Sequence, residues 1–283
     1  MTGMAERLRS LIDGGEHFVA AEAYSALTGR IVEQVGFKAA YVGGHACGAF
    51  HYAVPDNGIF SQVEQIEQSA RIAASIEIPL IADADTLGQT VADAFHFTRR
   101  YVRAGIAGIH VEDEINPKHS RYRNDLASIE DMQARIDACV RARSGSDFVI
   151  IARCDEMYSQ SRRGGGSGSV DEAMRRGNAY AKAGADVLVY PLASAEHTAK
   201  IAAEVRVPLC ALGLNMPGTA FTLSTGWGWL GAAQLHLARA TELMQTGKVT
   251  MDPILPAKDA LLEQDRYDEL VGQWAERTNR ATR

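Results

Sequence analysis

Short apolar runs alternate with helix-like stretches along most of this chain, and the alternation restricts the possible fold more than any other feature. Seven runs have the pattern of buried strands, at residues 18–21, 39–42, 80–82, 108–111, 148–152, 187–190 and 209–212. An eighth run is not distinct. Strands that alternate with helices predict a parallel sheet, and seven or eight such units within 283 residues favour a closed (β/α)₈ barrel.

The stretches between these runs carry helical patterns. From residue 63 to residue 76, five apolar residues recur at helical spacing and share one helical face: Val63, Ile66, Ala70, Ala73 and Ala74. The last part of the chain also has helical patterns with apolar faces, interrupted by Pro253 and Pro256. We therefore predict one barrel domain over residues 1–283, in which residues 231–283 form a C-terminal helical extension.

The composition is that of an ordinary globular protein. Hydrophobic residues make up 46% of the chain and charged residues 23%, with a net charge of -6, so no basic surface for nucleic acid is indicated. There is no run of about 18 apolar residues and no apolar core of a secretion signal, so we expect a cytoplasmic protein. The four cysteines lie far apart without metal-ligand spacing, which predicts reduced thiols.

Acidic residues follow two neighbouring predicted strands at the point where each strand ends. Asp83 and Asp85 follow the run 80–82, and Glu112 follows the run 108–111. The carboxyl ends of parallel strands form one rim of a barrel, where the active sites of such barrels lie, so we expect these carboxylates to converge on one cation. Their oxygens suit Mg²⁺ or Mn²⁺ better than zinc. Each acid taken singly could instead cap a helix or bind loop amides.

A guanidinium and two polar segments are predicted near the same rim. Arg153 follows the run 148–152, and together with a metal it could clamp a small carboxylate-bearing anion. The segment 114–124 carries Lys118 and His119 and is placed to act as a lid, with a solvated charged loop as the alternative. The glycine-rich segment 164–169 could also help to cover the site, or could be a plain surface linker.

These features together resemble the isocitrate lyase and phosphoenolpyruvate mutase superfamily, especially its short members similar to 2-methylisocitrate lyase. The resemblance runs from about residue 11 to residue 215 and rests on six motifs. They are Tyr41-Val42-Gly43-Gly44-His45, Pro55-Asp56-Asn57-Gly58, Ile81-Ala82-Asp83-Ala84-Asp85-Thr86, Val111-Glu112-Asp113, Ile151-Ala152-Arg153-Cys154-Asp155 and Asn215-Met216. The resemblance implies a (β/α)₈ barrel whose final helix is exchanged between the subunits of a homodimer or homotetramer.

The same resemblance implies a metal site at the strand ends. Asp85 would be the direct ligand of Mg²⁺, with Mn²⁺ as the alternative ion. Asp83, Glu112 and Asp56 would hold the water molecules of the metal. Binding through water suits Mg²⁺, which gives up its hydration shell reluctantly.

A substrate site is implied beside the metal. Gly44 and His45, next to Gly43, would offer backbone N–H groups to a substrate carboxylate. Arg153 would bind substrate oxygens, and Asn215 would line the pocket. The side chain of His45 could add a direct contact with the substrate or could have only a structural role.

Five residues are candidates for catalytic roles: Arg153, Lys118, His119, Tyr41 and Asp56. Lys118 and His119 could act as acid, base or anion contact, because a lid delivers such groups only after the substrate has bound. Tyr41 could donate a hydrogen bond to a substrate oxygen, or it could only pack at the end of its strand.

Three departures from the superfamily pattern bear on the reaction. Ser120 falls where the lyases place a catalytic cysteine, and a serine hydroxyl is a far weaker acid than a thiol, whose pKa is about 8.5. Pro117 and Lys118 instead resemble the loop that covers the phosphonate in the phosphonopyruvate branch. The sixth-strand sequence Tyr190-Pro191-Leu192 lacks the glutamate of the lyases.

The leading hypothesis is a Mg²⁺-dependent carbon–carbon lyase that acts on a small 2-hydroxy or 2-oxo di- or tricarboxylate through a metal-stabilised enolate, including reactions of the oxaloacetate type. The alternative is P–C bond chemistry on phosphonopyruvate or phosphoenolpyruvate. A second alternative is a non-catalytic protein that binds carboxylates. In each case the expected partner is a small carboxylate or a second copy of the chain, without nucleic acid or membrane.

Overall fold

Parallel strands close into a barrel in the order of the chain. The computed structural model describes residues 3–120, 122, 125–158, 168–213, 215–250 and 258–281; most of the glycine-rich segment 164–169 and residues 121, 123 and 124 of the predicted lid lie outside these. The strands are β1 (Phe18–Glu22), β2 (Ala39–Val42), β3 (Leu80–Asp83), β4 (Gly108–Glu112), β5 (Val149–Arg153), β6 (Val187–Val189), β7 (Leu209–Leu212) and β8 (Phe221–Ser224). The predicted (β/α)₈ barrel is confirmed, and each of the seven predicted runs contains a strand.

Helices connect most of the strands. They are α1 (Met4–Asp13), α2 (Ala26–Val35), α3 (Gly44–Cys47), α4 (Gln62–Ala73), α5 (Val91–Arg103), α6 (Ile129–Arg143), α7 (Val170–Ala183), α8 (Ala195–Glu204), α9 (Trp227–Thr246), α10 (Lys258–Leu261) and α11 (Gln264–Ala281), with a π-helix at Gly48–Tyr52. Capping boxes begin α2, α4 and α5, at Ser25, Ser61 and Thr90. Gly36 ends α2 with a φ of 99°, a left-handed value that costs glycine little.

The eighth strand is not distinct in the sequence because no helix separates it from β7 among the described residues of the connection 213–220. β8 pairs with β7 on one side and with β1 on the other, where Phe221 lies opposite Phe18. The two rings stack with centroids 5.0 Å apart, and this contact closes the barrel. A cavity of about 240 Å³ next to this connection is lined by Thr198, Leu209 and Ala211, among others.

Alternate residues of the strands fill the barrel interior. Ile81, Ile151 and Phe221 belong to one buried cluster. Because side chains alternate between the two faces of a strand, the residue two positions further along also points inward. Asp83 follows Ile81 in this way and Arg153 follows Ile151. The strand pattern therefore brings a carboxylate and a guanidinium to the carboxyl end of the barrel.

The predicted helix in the segment 63–76 is α4, but its apolar face is not the face that is buried. Val63 is 39% exposed in α4, and the buried side contains Gln65 and Ser69 beside Ile66. Gln65 donates from Nε2 to the backbone carbonyl of Asp83, and the hydroxyl of Ser69 donates to the carbonyl of Gln65 at 2.7 Å. These hydrogen bonds allow polar side chains to face the barrel, which apolar periodicity does not reveal.

Two compact units divide the chain, at residues 1–230 and 231–283. Most of the described part of the second unit is helical. It exposes large apolar side chains, including Leu237, Leu270 and Trp274. Among the described helices, none has both the length and the apolar character that a membrane span requires.

Candidate functional site

Three buried carboxylates converge at the carboxyl ends of β3 and β4. Asp83, Asp85 and Glu112 each place an oxygen within 4.8 Å of the other two. Asp83 ends β3, Glu112 ends β4, and Asp85 lies two residues beyond β3 with a φ of 47°. The backbone N–H of Asp85 donates to Oδ1 of Asp83 at 2.9 Å, which folds the segment back on itself. The predicted convergence of these acids at one rim is confirmed.

Gly44 approaches this acidic cluster closely. Its backbone N–H donates to Oδ2 of Asp83 at 3.1 Å. A Cβ atom at position 44 would lie only 3.2 Å from Oδ1 of Asp85 and 3.3 Å from Oδ2 of Asp83, so a larger residue would crowd both acids. The N–H group expected to bind a substrate carboxylate therefore has Asp83 as an acceptor in this structure.

Lys118 is fully buried and lies against the acids. Its Nζ is 3.0 Å from Oδ1 of Asp56 and 3.1 Å from Oε1 of Glu112, and it also donates to Oδ1 of Asp85. Burial alone would lower the pKa of Lys118, but the surrounding carboxylates, led by Asp85, raise it well above its ordinary value. The cluster thus contains an ammonium ion bound to three carboxylates.

The acidic cluster has the charge and donor set that a hard cation needs. Burial raises the pKa of Asp85 well above its ordinary value, and the negative charges of Asp83 and Glu112 add to the rise while Lys118 opposes it. Among the described residues, neither side-chain oxygen of Glu112 accepts a hydrogen bond, although both lie near cationic groups. These residues fit a magnesium or manganese ion, because all the ligand atoms are carboxylate oxygens.

His119 connects the predicted lid to the loop that carries Asp56. Its Nδ1 lies 2.9 Å from the backbone carbonyl of Asp56 and 3.2 Å from the carboxylate of the same residue, and its Nε2 lies 3.2 Å from Glu114. Burial would raise the pKa of Asp56, but His119 and Lys118 lower it well below its ordinary value. The described part of the segment 114–124 is therefore held over the acids by charge.

Arg153 lies opposite the lid, at the end of β5. Its Nη1 is 3.1 Å from Oε2 of Glu112, and its Nε and Nη2 donate to one oxygen of Asp155 at 3.0 and 2.8 Å. Asp113 accepts from the backbone N–H of Asp155 at 2.8 Å and from the hydroxyl of Tyr180 at 2.6 Å, which links the site to α7. Asp155 and Glu112 thus fix the direction of the guanidinium.

Tyr41 and His110 form a buried pair at the centre of the site. The hydroxyl of Tyr41 is 2.9 Å from Nε2 of His110, which is itself 3.5 Å from Oδ1 of Asp83. Burial lowers the pKa of His110 and raises that of Tyr41 well above its ordinary value. Sequence reasoning missed His110, although its place two residues before Glu112 on β4 predicts an inward direction.

The remaining predicted substrate residues are His45, Asn215 and Gly43. His45 is exposed and its ring contacts the ring of Trp229 with centroids 5.0 Å apart. Asn215 is exposed in the connection after β7. A Cβ atom on Gly43 would lie 3.5 Å from the hydroxyl of Tyr41, so Gly43 borders the buried pair.

Glu22 is a second residue that sequence reasoning missed. It ends β1, is 1% exposed, and accepts from the hydroxyl of Thr225 at 2.9 Å. It also accepts from the backbone N–H groups of Gly226 and Gly228 at 2.8 and 3.1 Å, at the start of α9. A carboxylate at a helix N-terminus is favoured by the helix dipole. Glu22 thereby fixes the start of the helix that carries Trp229 beside His45.

The four cysteines are buried free thiols: Cys47, Cys139, Cys154 and Cys210. Burial raises the pKa of Cys47 to about 12. A thiol of that kind is a poor nucleophile, because the thiolate is the reactive form. These residues serve as small apolar side chains in the described structure.

Known proteins similar in sequence to this chain include a lyase and a hydrolase. The chain is 33% identical to the 2,3-dimethylmalate lyase of Eubacterium barkeri and 37% identical to the phosphonopyruvate hydrolase of Variovorax sp. (strain Pal2). Each match covers 65% of this chain and 62% of the relative, so the chain spans less than two thirds of the length of these relatives.

Two solved structures are similar over nearly the whole chain. Oxaloacetate acetylhydrolase in complex with the product oxalate is 26% identical with a TM-score of 0.84, and the match covers 96% of this chain and 98% of that one. Phosphonopyruvate hydrolase in complex with oxalate and Mg²⁺ is 26% identical with a TM-score of 0.83, over 96% and 99% of the two chains. The related proteins thus include lyases and hydrolases.

A family model described as phosphoenolpyruvate phosphomutase matches residues 8–240. That range contains the barrel and every residue of the acidic cluster. It also covers most of the chain, and the match agrees with the resemblance drawn from the six sequence motifs. The protein therefore belongs to the phosphoenolpyruvate phosphomutase family, within the superfamily that also includes the isocitrate lyases.

Proposed function

We propose that this chain is a Mg²⁺-dependent carbon–carbon lyase acting on a small 2-hydroxy or 2-oxo di- or tricarboxylate. The observation that carries the proposal is the convergence of Asp83, Asp85 and Glu112 within 4.8 Å, with the guanidinium of Arg153 3.1 Å from Glu112. A carbon–carbon cleavage that leaves an enolate needs positive charge at the developing oxyanion. The guanidinium of Arg153 and a cation held by the three carboxylates would supply that charge.

Asp85, Asp83 and Glu112 would hold the ion, which can be Mg²⁺ or Mn²⁺. When bound there, it would supply a Lewis acid that stabilises negative charge on an oxygen of a 2-oxo acid. Asp56, whose Oδ1 lies 3.0 Å from Nζ of Lys118, would contribute through water. The similar phosphonopyruvate hydrolase structure with oxalate and Mg²⁺ supports this choice of ion.

Arg153 would bind the carboxylate or the oxyanion of the substrate. Asp155 orients it through two donors to one oxygen, so the guanidinium is set before the substrate arrives. The backbone at Gly43, Gly44 and His45 would bind the second end of the substrate, and Asn215 would line the pocket. The closeness of Gly43 to Tyr41 and of Gly44 to Asp83 supports this role for the backbone.

Lys118, His119 and Tyr41 are the proposed groups that contact an anionic group of the substrate or move a proton. Lys118 holds its proton firmly, because the surrounding carboxylates raise its pKa well above its ordinary value. Nδ1 of His119 carries a proton, since the backbone carbonyl 2.9 Å away can only accept. Tyr41 can donate through its hydroxyl while His110 accepts or passes on a proton. Ser120 does not replace the cysteine of the lyases as a proton donor.

Phosphonate chemistry is the second candidate function. It is favoured by the placement of Lys118 at the metal site, in a loop whose Pro117 and Lys118 resemble the phosphonate-covering loop. The 37% identity to a phosphonopyruvate hydrolase also supports it. A protein that binds carboxylates without turning them over is the third possibility.

An assay panel distinguishes these functions. We expect Mg²⁺-dependent formation of a 2-oxo acid from 2-hydroxy di- or tricarboxylates, or cleavage of oxaloacetate, with activity lost in EDTA and restored by Mg²⁺. Release of phosphate from phosphonopyruvate as the only reaction would overturn the lyase proposal in favour of P–C bond chemistry. Stabilisation by oxalate and Mg²⁺ against heat without any turnover would indicate the binding protein.

We also propose that the chain assembles as a homodimer or homotetramer with an exchanged final helix. The large apolar side chains that the second unit exposes, including Leu237, Leu270 and Trp274, support this assembly. Light scattering after size exclusion is expected to give two or four times the chain mass of 30.6 kDa. A mass of one chain at micromolar concentration would contradict it.

A further inference from the structure

The ammonium group of Lys118 lies where the proposed metal site needs positive charge. Two of its three carboxylate partners, Asp85 and Glu112, belong to the acidic cluster, and the third is Asp56. The side chain is 0% exposed, so water does not share in neutralising these acids. The inference that follows rests on the proposed function, because it concerns the same metal site.

The carboxylates of the cluster can share a small buried volume only if a cation or a bound proton offsets their charge. Removing one partner of a buried ion pair leaves an uncompensated charge, which is strongly destabilising. Lys118 provides compensation to Asp85 and Glu112 on the lid side, and Arg153 provides it to the other oxygen of Glu112. A divalent cation would use the oxygens that the ammonium already contacts, and the two cations would repel each other at this distance.

We propose that Lys118 is an internal cation that competes with the divalent metal for Asp85 and Glu112. Metal binding then requires Lys118 to withdraw from these two acids, and the position of Lys118 sets the affinity for the metal. The coupling is reciprocal. The contacts of Lys118 with the two acids weaken metal binding, and bound metal weakens those contacts by the same free energy.

The competition links the metal to the lid. Lys118 is adjacent in the chain to His119, which lies 3.2 Å from both Asp56 and Glu114. When the metal takes Asp85 and Glu112, the ammonium remains within reach of Asp56, whose Oδ1 it already contacts at 3.0 Å. There it is available to bind a carboxylate of the substrate. The metal-loaded state is thus the state in which the lid presents its charge to the substrate.

The first test is metal affinity measured by calorimetry on the full chain. Lys118→Met is expected to bind Mg²⁺ about ten-fold more tightly than the unchanged protein, within the usual range of coupling between sites. Lys118→Gln provides a second variant with a polar side chain, in case the methionine variant does not fold. Lys38→Met, which removes a surface lysine paired with Glu16, is the matched control and should leave the affinity unchanged.

The second test needs no variant. Acetylation of lysine amines by acetic anhydride, followed by mass spectrometry, reports the accessibility of each lysine. Lys118 is expected to be protected without metal and to become labelled as Mg²⁺ is added, whereas Lys38, about half exposed, is labelled throughout.

The outcomes separate this inference from the proposed function. If Mg²⁺ binds the unchanged protein but Lys118→Met and Lys118→Gln bind it equally or more weakly, and Lys118 stays protected, the competition is disproved while the metal site stands. If neither Mg²⁺ nor Mn²⁺ binds the unchanged protein or any of the variants, both the metal site and the competition are disproved.

Discussion

Replacement of Asp85 by asparagine is expected to abolish Mg²⁺ binding and to lower kcat/KM by about 10³-fold or more, because the Lewis acid contributes several kcal/mol and each 1.36 kcal/mol is a factor of ten. The new side chain fits the backbone at position 85, since asparagine tolerates a positive φ such as the 47° found here. Burial and the neighbouring acids disfavour the charged form of Asp85 and raise its pKa. The substitution removes this carboxylate, so the variant should remain folded. Thermal unfolding with and without Mg²⁺ measures both effects.

Asp93→Asn is the matched control for that prediction. Asp93 lies in the first turn of α5, where its carboxylate accepts from the backbone N–H and the hydroxyl of Thr90, each at 2.9 Å. It should keep both Mg²⁺ binding and activity. Retention of Mg²⁺-dependent activity by Asp85→Asn would contradict the assignment of Asp85 as the direct ligand.

Replacement of Arg153 by lysine is expected to lower kcat/KM by about 10²- to 10³-fold, the usual cost of losing one group that stabilises a developing oxyanion. Lysine keeps the charge but cannot reproduce the two donors that reach Asp155 while Nη1 faces Glu112. The affinity for oxalate should fall in parallel. Steady-state kinetics and oxalate titration in the presence of Mg²⁺ are the measurements.

Arg143→Lys serves as the control for this substitution. Arg143 is a partly buried arginine that is likewise ion-paired with an aspartate, Asp186, and it donates to the carbonyl of Phe148 at the opposite end of β5. It should lower stability without changing kcat/KM. An Arg153→Lys variant with unchanged kinetics and oxalate affinity would remove Arg153 from the substrate site.

The barrel and the acidic rim were predictable because both depend on simple periodicities. Apolar runs of strand length separated by helices predict a parallel barrel, and the residues that end β3, β4 and β5 must then share one rim. The alternation along a strand extends this argument to side-chain direction. Applied to β4, it would also have identified His110, two residues before Glu112.

Other parts of the structure depend on contacts that a linear pattern does not contain. The buried face of α4 contains Gln65, whose amide donates a hydrogen bond to the backbone carbonyl of Asp83 at the end of β3. The apolar pattern of the sequence marks a different face of this helix. Glu22 bonds the start of α9, about two hundred residues further along the chain. β8 was missed because it follows β7 without a helix in the described part of the connection.

The burial of Lys118 is a further feature that the sequence alone does not predict. The sequence placed Lys118 in a polar segment, for which a solvated loop was an equal alternative. The structure buries the side chain completely, because three carboxylates from three different segments surround its ammonium group. Such burial follows from the convergence of these segments in space, and no spacing within the loop encodes it.

The most direct test of the account is a crystal structure of the full chain with Mn²⁺ and oxalate, in which anomalous scattering locates the ion. We expect one strong peak, from an ion bound by a carboxylate oxygen of Asp85 and within reach of Asp83 and Glu112. The guanidinium of Arg153 should contact the oxalate. A structure with no ion among these acids, or with oxalate bound away from Arg153, would contradict it.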